Sequence, residues 1–232
     1  MIRNLVCLPG FMCGPELFSA FADALGGRAN VVHGDVYSDP SIAGMADRVL
    51  AAAPDRFALL GFSMGGFVAR EIALRAPDRV AALVLVATSA RATSEKEHAR
   101  KEAILAQLAE HGFKGMSRAA LAAGIHPDHP DRDVLVDRLK AMGAALGGEV
   151  MARQLRATRV DGHGDLPGIA VPTLVVAGRD DTVRPMAELQ RLAAGIPGAR
   201  FEIVEGCGHM VPLEKPAALA ALVTELLDGV RD

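Results

Sequence analysis

Residues 57–75, FALLGFSMGGFVAREIALR, carry the pattern from which the rest of the chain can be interpreted. An apolar run opens the stretch, the motif GFSMG occupies residues 61–65, and helical spacing follows the motif. A serine in this position, between a buried strand and a helix, lies on a sharp turn that exposes its hydroxyl group. A side chain at Gly61 or Gly65 would crowd that turn. The pattern therefore predicts that Ser63 is a nucleophile.

Short apolar runs alternate with segments of helical spacing on both sides of this motif. The predicted strands cover residues 4–8, 29–32, 57–61, 82–87, 173–177 and 200–204. The predicted helices cover residues 15–25, 41–53, 64–75, 186–194 and 216–228. Several strands are continuously apolar, which is typical of parallel strands buried on both faces. The predicted fold class is therefore α/β, with a doubly wound, mostly parallel sheet.

Residues 90–170, here called the insertion, break the alternation because they contain no convincing strand. Helix-like pieces punctuated by glycine and proline occupy residues 93–110, 116–123, 131–146 and 149–158. Extra packing is one interpretation of this helical cap. We favour a lid over the carboxyl edge of the sheet, where open α/β sheets bind ligands. The predicted organisation is a core of residues 1–89 and 171–232, with residues 90–170 inserted between two core strands.

Composition excludes several classes of protein. Of the 232 residues, 50% are hydrophobic, and the formal net charge is −3 with scattered Lys and Arg, so nucleic acid is not an expected partner. The three cysteines, Cys7, Cys13 and Cys207, fit neither a zinc site nor a redox pair and favour a reducing compartment. Neither a signal peptide nor an apolar stretch of about 20 residues is evident. We therefore expect a cytoplasmic protein that does not associate with membranes.

A serine hydroxyl needs a base within hydrogen-bond reach. Among the seven histidines, His209 stands out because it lies in EGCGHMVP, residues 205–212, a loop of small residues after the last predicted strand. Such a loop can bring a side chain to the carboxyl edge of the sheet, although a lone loop histidine is often only solvated. The pair His126 and His129 is at best a weak metal candidate. The sequence predicts His209 as the base.

The acid that orients this histidine should lie between the serine and the histidine in chain order. The predicted strand 173–177 leads into GRDDTVRP, residues 178–185, which offers two adjacent aspartates. One would hold the imidazole tautomer and stabilise the imidazolium, and the other would cap the turn or the following helix. Physical arguments alone do not choose between Asp180 and Asp181.

These motifs together resemble the α/β-hydrolase superfamily over essentially the whole chain. The acid loop of that family often follows G-x-x-D-x-x-x-P, a register that selects Asp181 here. Its histidine loop is often G-x-G-H followed by a proline and then Glu-x-Pro, matched here by residues 206–209, Pro212 and 214–216. The resemblance implies a catalytic triad of Ser63, His209 and Asp181, with neither a metal nor an organic cofactor.

The resemblance also implies an oxyanion hole made of two backbone N–H groups. One belongs to Met64, directly after the nucleophile at the start of a helix. The other comes from the loop after the first strand, commonly His-Gly-x, and here falls on Phe11. Pro9 stands where the family usually has histidine, but a backbone donor does not depend on that side chain. Cys13 should lie near this loop, as an inert small side chain or an accessible thiol.

A serine nucleophile implies acyl transfer through a covalent acyl-enzyme. The leading hypothesis is hydrolysis of a small or medium carboxylic ester or thioester. The alternatives are an enol-lactonase, a perhydrolase, and a carbon–carbon bond hydrolase that binds a carboxylate through an arginine. A ligand-binding protein of the same fold that performs no turnover is the hypothesis from another class.

The substrate pocket is predicted only from chain position. Met12, Phe62 and Met210 flank catalytic positions and would form an apolar acyl pocket, although core packing would explain them equally well. Arg70, Arg153 and Arg184 are the candidates for binding a substrate carboxylate. The expected partner is therefore a small ester, thioester or lactone. A monomer and a homodimer are both compatible with the sequence.

Overall fold

The computed structural model describes residues 2–230, and within that range six strands form one sheet in the order β2-β1-β3-β4-β5-β6. Every pairing of neighbouring strands is parallel, which confirms the predicted α/β class with a mostly parallel sheet. The strands are β1 (Asn4–Leu8), β2 (Asn30–His33), β3 (Phe57–Phe62), β4 (Val80–Val86), β5 (Thr173–Gly178) and β6 (Arg200–Val204).

The helices lie before, between and after these strands. Their bounds are α1 (Ser19–Ala24), α2 (Ile42–Ala52), α3 (Met64–Arg75), α4 (Glu95–His111), α5 (Arg118–Ala122), α6 (Arg132–Arg156), α7 (Met186–Gly195), α8 (Val211–Glu214) and α9 (Pro216–Gly229). The single helix predicted for residues 15–25 is wrong. Pro15–Phe18 forms a 3₁₀ turn, and α1 begins only after Phe18, whose φ of −97° and ψ of 5° leave the α-helical region.

The sheet is buried on both faces because its central strands carry apolar side chains in both directions. Leu60 and Val84 point into one core, which α1, α8 and α9 cover. Leu59 and Leu83, their immediate neighbours, point into a second core against α2, α3 and α7. Alternate side chains of a strand point to opposite faces, so a continuous apolar run serves two layers of helices. This is the doubly wound arrangement that the sequence predicts.

The insertion is helical, as predicted, and lies between β4 and β5 in the chain. The two predicted helices 131–146 and 149–158 correspond to the two parts of α6, which meet at a kink at Gly147, whose φ of 75° and ψ of −179° are not helical. A left-handed glycine redirects the chain at the point where the sequence suggested a break. Whether the insertion is a lid, and whether its boundaries are residues 90 and 170, stay predictions.

The strand order places the carboxyl ends of β1 and β3 side by side. β2 pairs with one edge of β1, and β3 pairs with the other edge. The connections from β1 onwards therefore first run to one side of β1 and then to the other. Leu8, the last residue of β1, pairs in register with Gly61. Open α/β sheets bind ligands at such a switch point. The loop after β1 and the turn that carries Ser63 therefore meet there.

Candidate active site

Ser63 lies on a strained turn between β3 and α3. Its φ of 51° and ψ of −110° fall in a region that costs a non-glycine residue about 1–3 kcal/mol. Hydrogen bonds hold the residue there: its N–H donates to the Val86 carbonyl oxygen at 2.9 Å, and its carbonyl oxygen accepts from Thr88 Oγ1 at 2.8 Å and from the Gly66 N–H at 3.1 Å. The strain leaves the Ser63 side chain partly exposed above the sheet.

The glycines of the motif are required by close contacts. A Cβ on Gly61 would lie 2.5 Å from the Gly65 carbonyl oxygen and 2.6 Å from the Ala69 Cβ. A Cβ on Gly65 would lie 2.6 Å from the carbonyl carbon of Leu8 and 2.6 Å from the carbonyl oxygen of Pro9. Real Cβ atoms do not approach this closely. Both glycines therefore allow α3 to begin directly against β3 and against the loop after β1.

The structure brings Ser63, His209 and Asp181 together in one hydrogen-bonded row. His209 Nε2 lies 3.0 Å from Ser63 Oγ, and His209 Nδ1 lies 2.8 Å from Asp181 Oδ2. With the proton on Nδ1, the imidazole donates to the carboxylate and Nε2 is free to accept the serine proton. The side chain of Asp181 is only 2% exposed, so water does not compete for this contact.

The two candidate aspartates have different surroundings. Oδ1 of Asp181 accepts the N–H groups of Val183 and Arg184, each at 2.8 Å, which fixes the carboxylate with Oδ2 towards His209. Asp180 is half exposed, and its Oδ2 lies 3.4 Å from Nε2 of His126, in the insertion. The geometry thus places Asp181, not Asp180, beside the imidazole.

A buried carboxylate that the sequence analysis did not single out holds the His209 loop. Glu214 accepts the N–H groups of Gly208 and Met210, on either side of His209, at 3.0 Å each. It also accepts the N–H of His126 at 2.8 Å. Charged acceptors make the stronger hydrogen bonds of proteins. Glu214 lies within the Glu-x-Pro motif, so the motif was a signal for its importance but not for these contacts.

The loop after β1 packs directly against Ser63. A Cβ on Gly10 would lie 3.3 Å from the Ser63 Cβ, so the residue that precedes Phe11 is close to the serine. Among the hydrogen bonds of residues 2–230, the N–H groups of Phe11 and Met64 have no acceptor. Two donors without an acceptor in the loops around Ser63 could bind an oxyanion, which needs N–H groups at about 2.7–3.1 Å.

The three predicted pocket residues are close to this row but deeply packed. Met12, Phe62 and Met210 are all buried. The Phe62 ring contacts the imidazole of His209, with centroids 5.2 Å apart and planes tilted by 48°. Phe62 and Met210 also share a core with apolar side chains of α5 and α6. Apolar walls thus surround the catalytic candidates, and the assignment of these three residues as a substrate pocket stays a prediction.

The arginine candidates for a substrate carboxylate separate into two groups. Arg153 is on the surface, where it pairs with Glu149 at 3.0 Å. The guanidinium carbons of buried Arg70 and Arg184 lie 5.8 and 5.9 Å from the ring centroid of Phe67, one turn of α3 beyond Ser63. Burial, together with neighbouring arginines, lowers the pKa of Arg184 to about 10.

The remaining reactive and ligating side chains form no second centre in the part of the chain that the structure describes. Cys7, Cys13 and Cys207 are free and buried, and burial raises the pKa of Cys13 to about 12. Over residues 2–230, no three His, Cys, Asp or Glu side chains are grouped so as to hold a metal ion. In the same range, each helix is too short or too polar to cross a bilayer.

Comparisons with known proteins identify the family. A profile of the alpha/beta hydrolase family matches residues 5–222. The chain is 31% identical over 211 residues to a pimeloyl-(acyl-carrier protein) methyl ester esterase of Neisseria meningitidis, which covers 86% of this chain and 67% of that one.

Two solved structures share the fold over almost the whole chain. The malate-bound thermophilic esterase from Thermogutta terrifontis has a TM-score of 0.86 at 24% identity and covers 99% of this chain and 91% of its own. The enol-lactonase from Burkholderia xenovorans has a TM-score of 0.84 at 22% identity and covers 98% and 92%. Because the profile matches all but the two ends, the chain belongs to the alpha/beta hydrolase family.

Proposed function

We propose that this protein is a serine hydrolase that cleaves small or medium carboxylic esters or thioesters through an acyl-enzyme on Ser63. The observation that carries the proposal is the row Ser63–His209–Asp181, with distances of 3.0 and 2.8 Å. A nucleophile, a base in reach of it, and an acid that orients the base are the requirements for acyl transfer.

The cycle follows from this geometry. Ser63 Oγ attacks the carbonyl carbon of the ester while His209 Nε2 takes the hydroxyl proton. The carbonyl oxygen becomes an oxyanion and accepts the N–H groups of Phe11 and Met64. When the tetrahedral intermediate collapses, its bond to the leaving group breaks, and His209 gives its proton to the departing alcohol or thiol. Water, deprotonated by the same imidazole, then releases the acid from Ser63.

The surroundings favour an apolar acyl group. Phe62 lies against the imidazole, and Met12 and Met210 are buried beside the catalytic loops. The Neisseria relative is named for a methyl ester of an acyl chain. Methyl esters of acyl chains therefore belong among the first substrates to test, beside activated esters of graded chain length.

The test is hydrolysis of p-nitrophenyl esters from acetate to decanoate, and of the corresponding methyl esters, by wild type and Ser63→Ala. We expect Ser63→Ala to lower kcat by about 10⁴-fold or more, because loss of the nucleophile removes the covalent route. Ser38→Ala, a change at an exposed serine on the loop after β2, is the matched control and should leave kcat unchanged. The best chain length gives the size of the acyl pocket.

Absence of Ser63-dependent turnover on every ester would overturn the ester hydrolase proposal. Enol-lactones and vinylogous diketones are then the substrates to try, with the same pair of variants. Ser63-dependent turnover of only one of these classes would assign a lactonase or a carbon–carbon bond hydrolase. No turnover of any class, with ligand binding intact, would assign a binding protein.

A further inference from the structure

We propose that Gln154, on helix α6 of the insertion, is a positioning residue for the loop that presents the oxyanion donor. The inference rests on the proposed function, since it concerns how the Phe11 N–H is held beside Ser63. It assigns the insertion a part in the chemical step.

The loop after β1 turns sharply at residues 10–13. The Cys13 N–H donates to the Gly10 carbonyl oxygen at 3.2 Å, which closes a four-residue turn. Met12, at the third position, has a φ of 54°, whereas Phe11 is not among the residues with positive φ. This combination is that of a type II turn, which normally has glycine or asparagine at its third position. A methionine there is strained and persists only if its surroundings hold it.

Gln154 supplies that restraint. Its Oε1 accepts the Met12 N–H at 2.9 Å, and its Nε2 donates to the Val36 carbonyl oxygen at 3.1 Å. The side chain is 2% exposed, so the two bonds form away from water. The donor bond to Val36 fixes which way the amide faces, and thereby directs the oxygen at Met12.

The hydrogen bond from Met12 to Gln154 involves the peptide group whose orientation distinguishes a type I turn from a type II turn. Types I and II differ mainly by rotation of the peptide between the second and third positions, here between Phe11 and Met12. Flipping that peptide would relieve the positive φ of Met12 but would turn its N–H away from Gln154. The Gln154 bond therefore counts directly against the relaxed turn, in which the backbone at Phe11 changes.

Other contacts also hold the loop, and one of them, the weak hydrogen bond from the Cys13 thiol, falls on the carbonyl oxygen of this same peptide. The Tyr37 hydroxyl donates to the Cys13 carbonyl oxygen at 3.2 Å, and the Cys13 thiol lies 3.5 Å from the Phe11 carbonyl oxygen. Pro9 has neither an N–H nor a polar side chain with which to anchor the loop from within. A side chain from the insertion, 142 residues away in the chain, takes that part.

The experiment compares three variants. Gln154→Met keeps most of the side-chain volume and removes both hydrogen bonds. Gln154→Glu keeps an oxygen that can face Met12. Gln107→Met makes the same change at an exposed position of α4 and is the matched control. Thermal unfolding of each variant shows whether the protein stays folded under the assay conditions.

We expect Gln154→Met to lower kcat about 10- to 100-fold with KM within about twofold. The displaced donor weakens binding only of the transition state, in which negative charge develops on the substrate oxygen. Affinity for an alkylboronic acid, whose adduct on Ser63 is tetrahedral and anionic, should fall by the same factor as kcat/KM. Gln154→Glu should recover part of both losses. A purely structural role would lower stability and leave the boronic acid affinity and the split between kcat and KM unchanged.

Amide hydrogen exchange of Met12 separates this inference from the proposed function. Exchange should accelerate in Gln154→Met and stay slow in Gln107→Met, whatever the substrate of the enzyme. If wild type has no Ser63-dependent turnover but Met12 exchange accelerates, the function is overturned and the restraint stands. Unchanged Met12 exchange in Gln154→Met, or a kcat equal to that of Gln107→Met, overturns the inference.

Discussion

The sheet and the insertion of this protein are stabilised in different ways. Every residue of β3 and of β4 is buried, and their side chains fill two cores. No residue of α4, the first helix of the insertion, is buried, although it is 17 residues long. Burial of apolar surface stabilises the sheet, and this hydrophobic effect does not depend on the orientation of the contacting groups. Helix α4 instead makes hydrogen bonds and ion pairs, which act only at defined positions and orientations, whereas α6 of the same insertion does bury apolar side chains.

Several hydrogen bonds of the insertion fall on the loops that carry His209 and Asp181. The Gly124 carbonyl oxygen accepts the N–H of His209 at 2.8 Å. Thr182, next to Asp181 in the acid loop, donates through its hydroxyl to the Ala123 carbonyl oxygen at 2.9 Å. One short segment of the insertion, residues 123 and 124, therefore touches both the loop of His209 and the loop of Asp181. The sheet determines where the loops begin, and the insertion contributes to the direction in which they point.

The largest expected loss of activity follows from substitution of Asp181, which contacts His209, and should not follow from substitution of Asp180, which contacts the insertion. Asp181→Asn should lower kcat by about 10⁴-fold. The N–H groups of Val183 and Arg184 require an oxygen at Oδ1, so the new amide nitrogen would face Nδ1 of His209. The imidazole would then carry its proton on Nε2 and could not accept the proton of Ser63.

Asp180→Asn is the matched control for this change. It removes only the partly exposed contact with His126, and should lower kcat/KM by less than about fivefold, the range of exposed ion pairs. Steady-state kinetics on the best ester decide the outcome. Equal losses in the two variants would contradict the assignment of Asp181 and the contrast between the two residues.

A second comparison adds the same methyl group in each region. Gly65→Ala should destabilise the protein by about 3 kcal/mol, because its Cβ would overlap the backbone at Leu8 and Pro9. Gly143→Ala, within α6, should stabilise it by about 0.5–1 kcal/mol through helix propensity. Its Cβ would have ordinary contacts, the nearest at 3.7 Å to the Met116 sulfur. Urea unfolding of both variants measures the two free energies, and a loss at Gly143 would show that the insertion is packed as rigidly as the sheet.

Local sequence patterns predicted the elements of the core well, because burial and close packing restrict the residue type at each of these positions. The bounds of β1 and β6, and those of α3, agree with the sequence analysis residue for residue. Continuous apolar runs and the two glycines around Ser63 are consequences of burial and close packing at those same positions. The meeting of His209 with Asp181 was predictable from the resemblance, which selected one of two aspartates that physical arguments left equal.

What the sequence did not predict depends on contacts between distant parts of the chain. Gln154 belongs to no motif, and its only signal is a polar side chain flanked by Met151 and Leu155 on a helix. The contacts of Glu214 with His126 require knowledge of how the insertion folds back on the core. The Phe18 break is a backbone adjustment to tertiary packing, for which local propensity is a weak guide.

Another small effect is expected at the point where the insertion leaves and rejoins the core. Glu97 lies in the first turn of α4 and closes a capping box with Ser94. Its two carboxylate oxygens accept hydrogen bonds from Nη1 and Nη2 of Arg91, each at 2.7 Å, and Oε1 also accepts one from Arg159 at 3.1 Å. Arg91 precedes α4 and Arg159 follows α6, so one carboxylate joins both ends of the insertion. The hydrogen bonds from Arg91, followed by those from Ser94 and the charge of Arg159, lower the pKa of Glu97 well below its ordinary value of 4.5.

Because the pKa is lowered in the folded state, the stability that Glu97 contributes is present above pH 4.5 and is lost as the pH falls towards the folded pKa. Wild type should therefore exceed Glu97→Gln in free energy of unfolding by about 1 kcal/mol at neutral pH, and the difference should shrink steadily in acid. Glu102→Gln, at an exposed glutamate of the same helix, should show no such trend. Urea unfolding at several pH values measures it. If the difference in free energy of unfolding between wild type and Glu97→Gln does not change with pH, Glu97 acts through the shape of the capping box and not through its charge. The two ends of the insertion are then held together by their backbone hydrogen bonds.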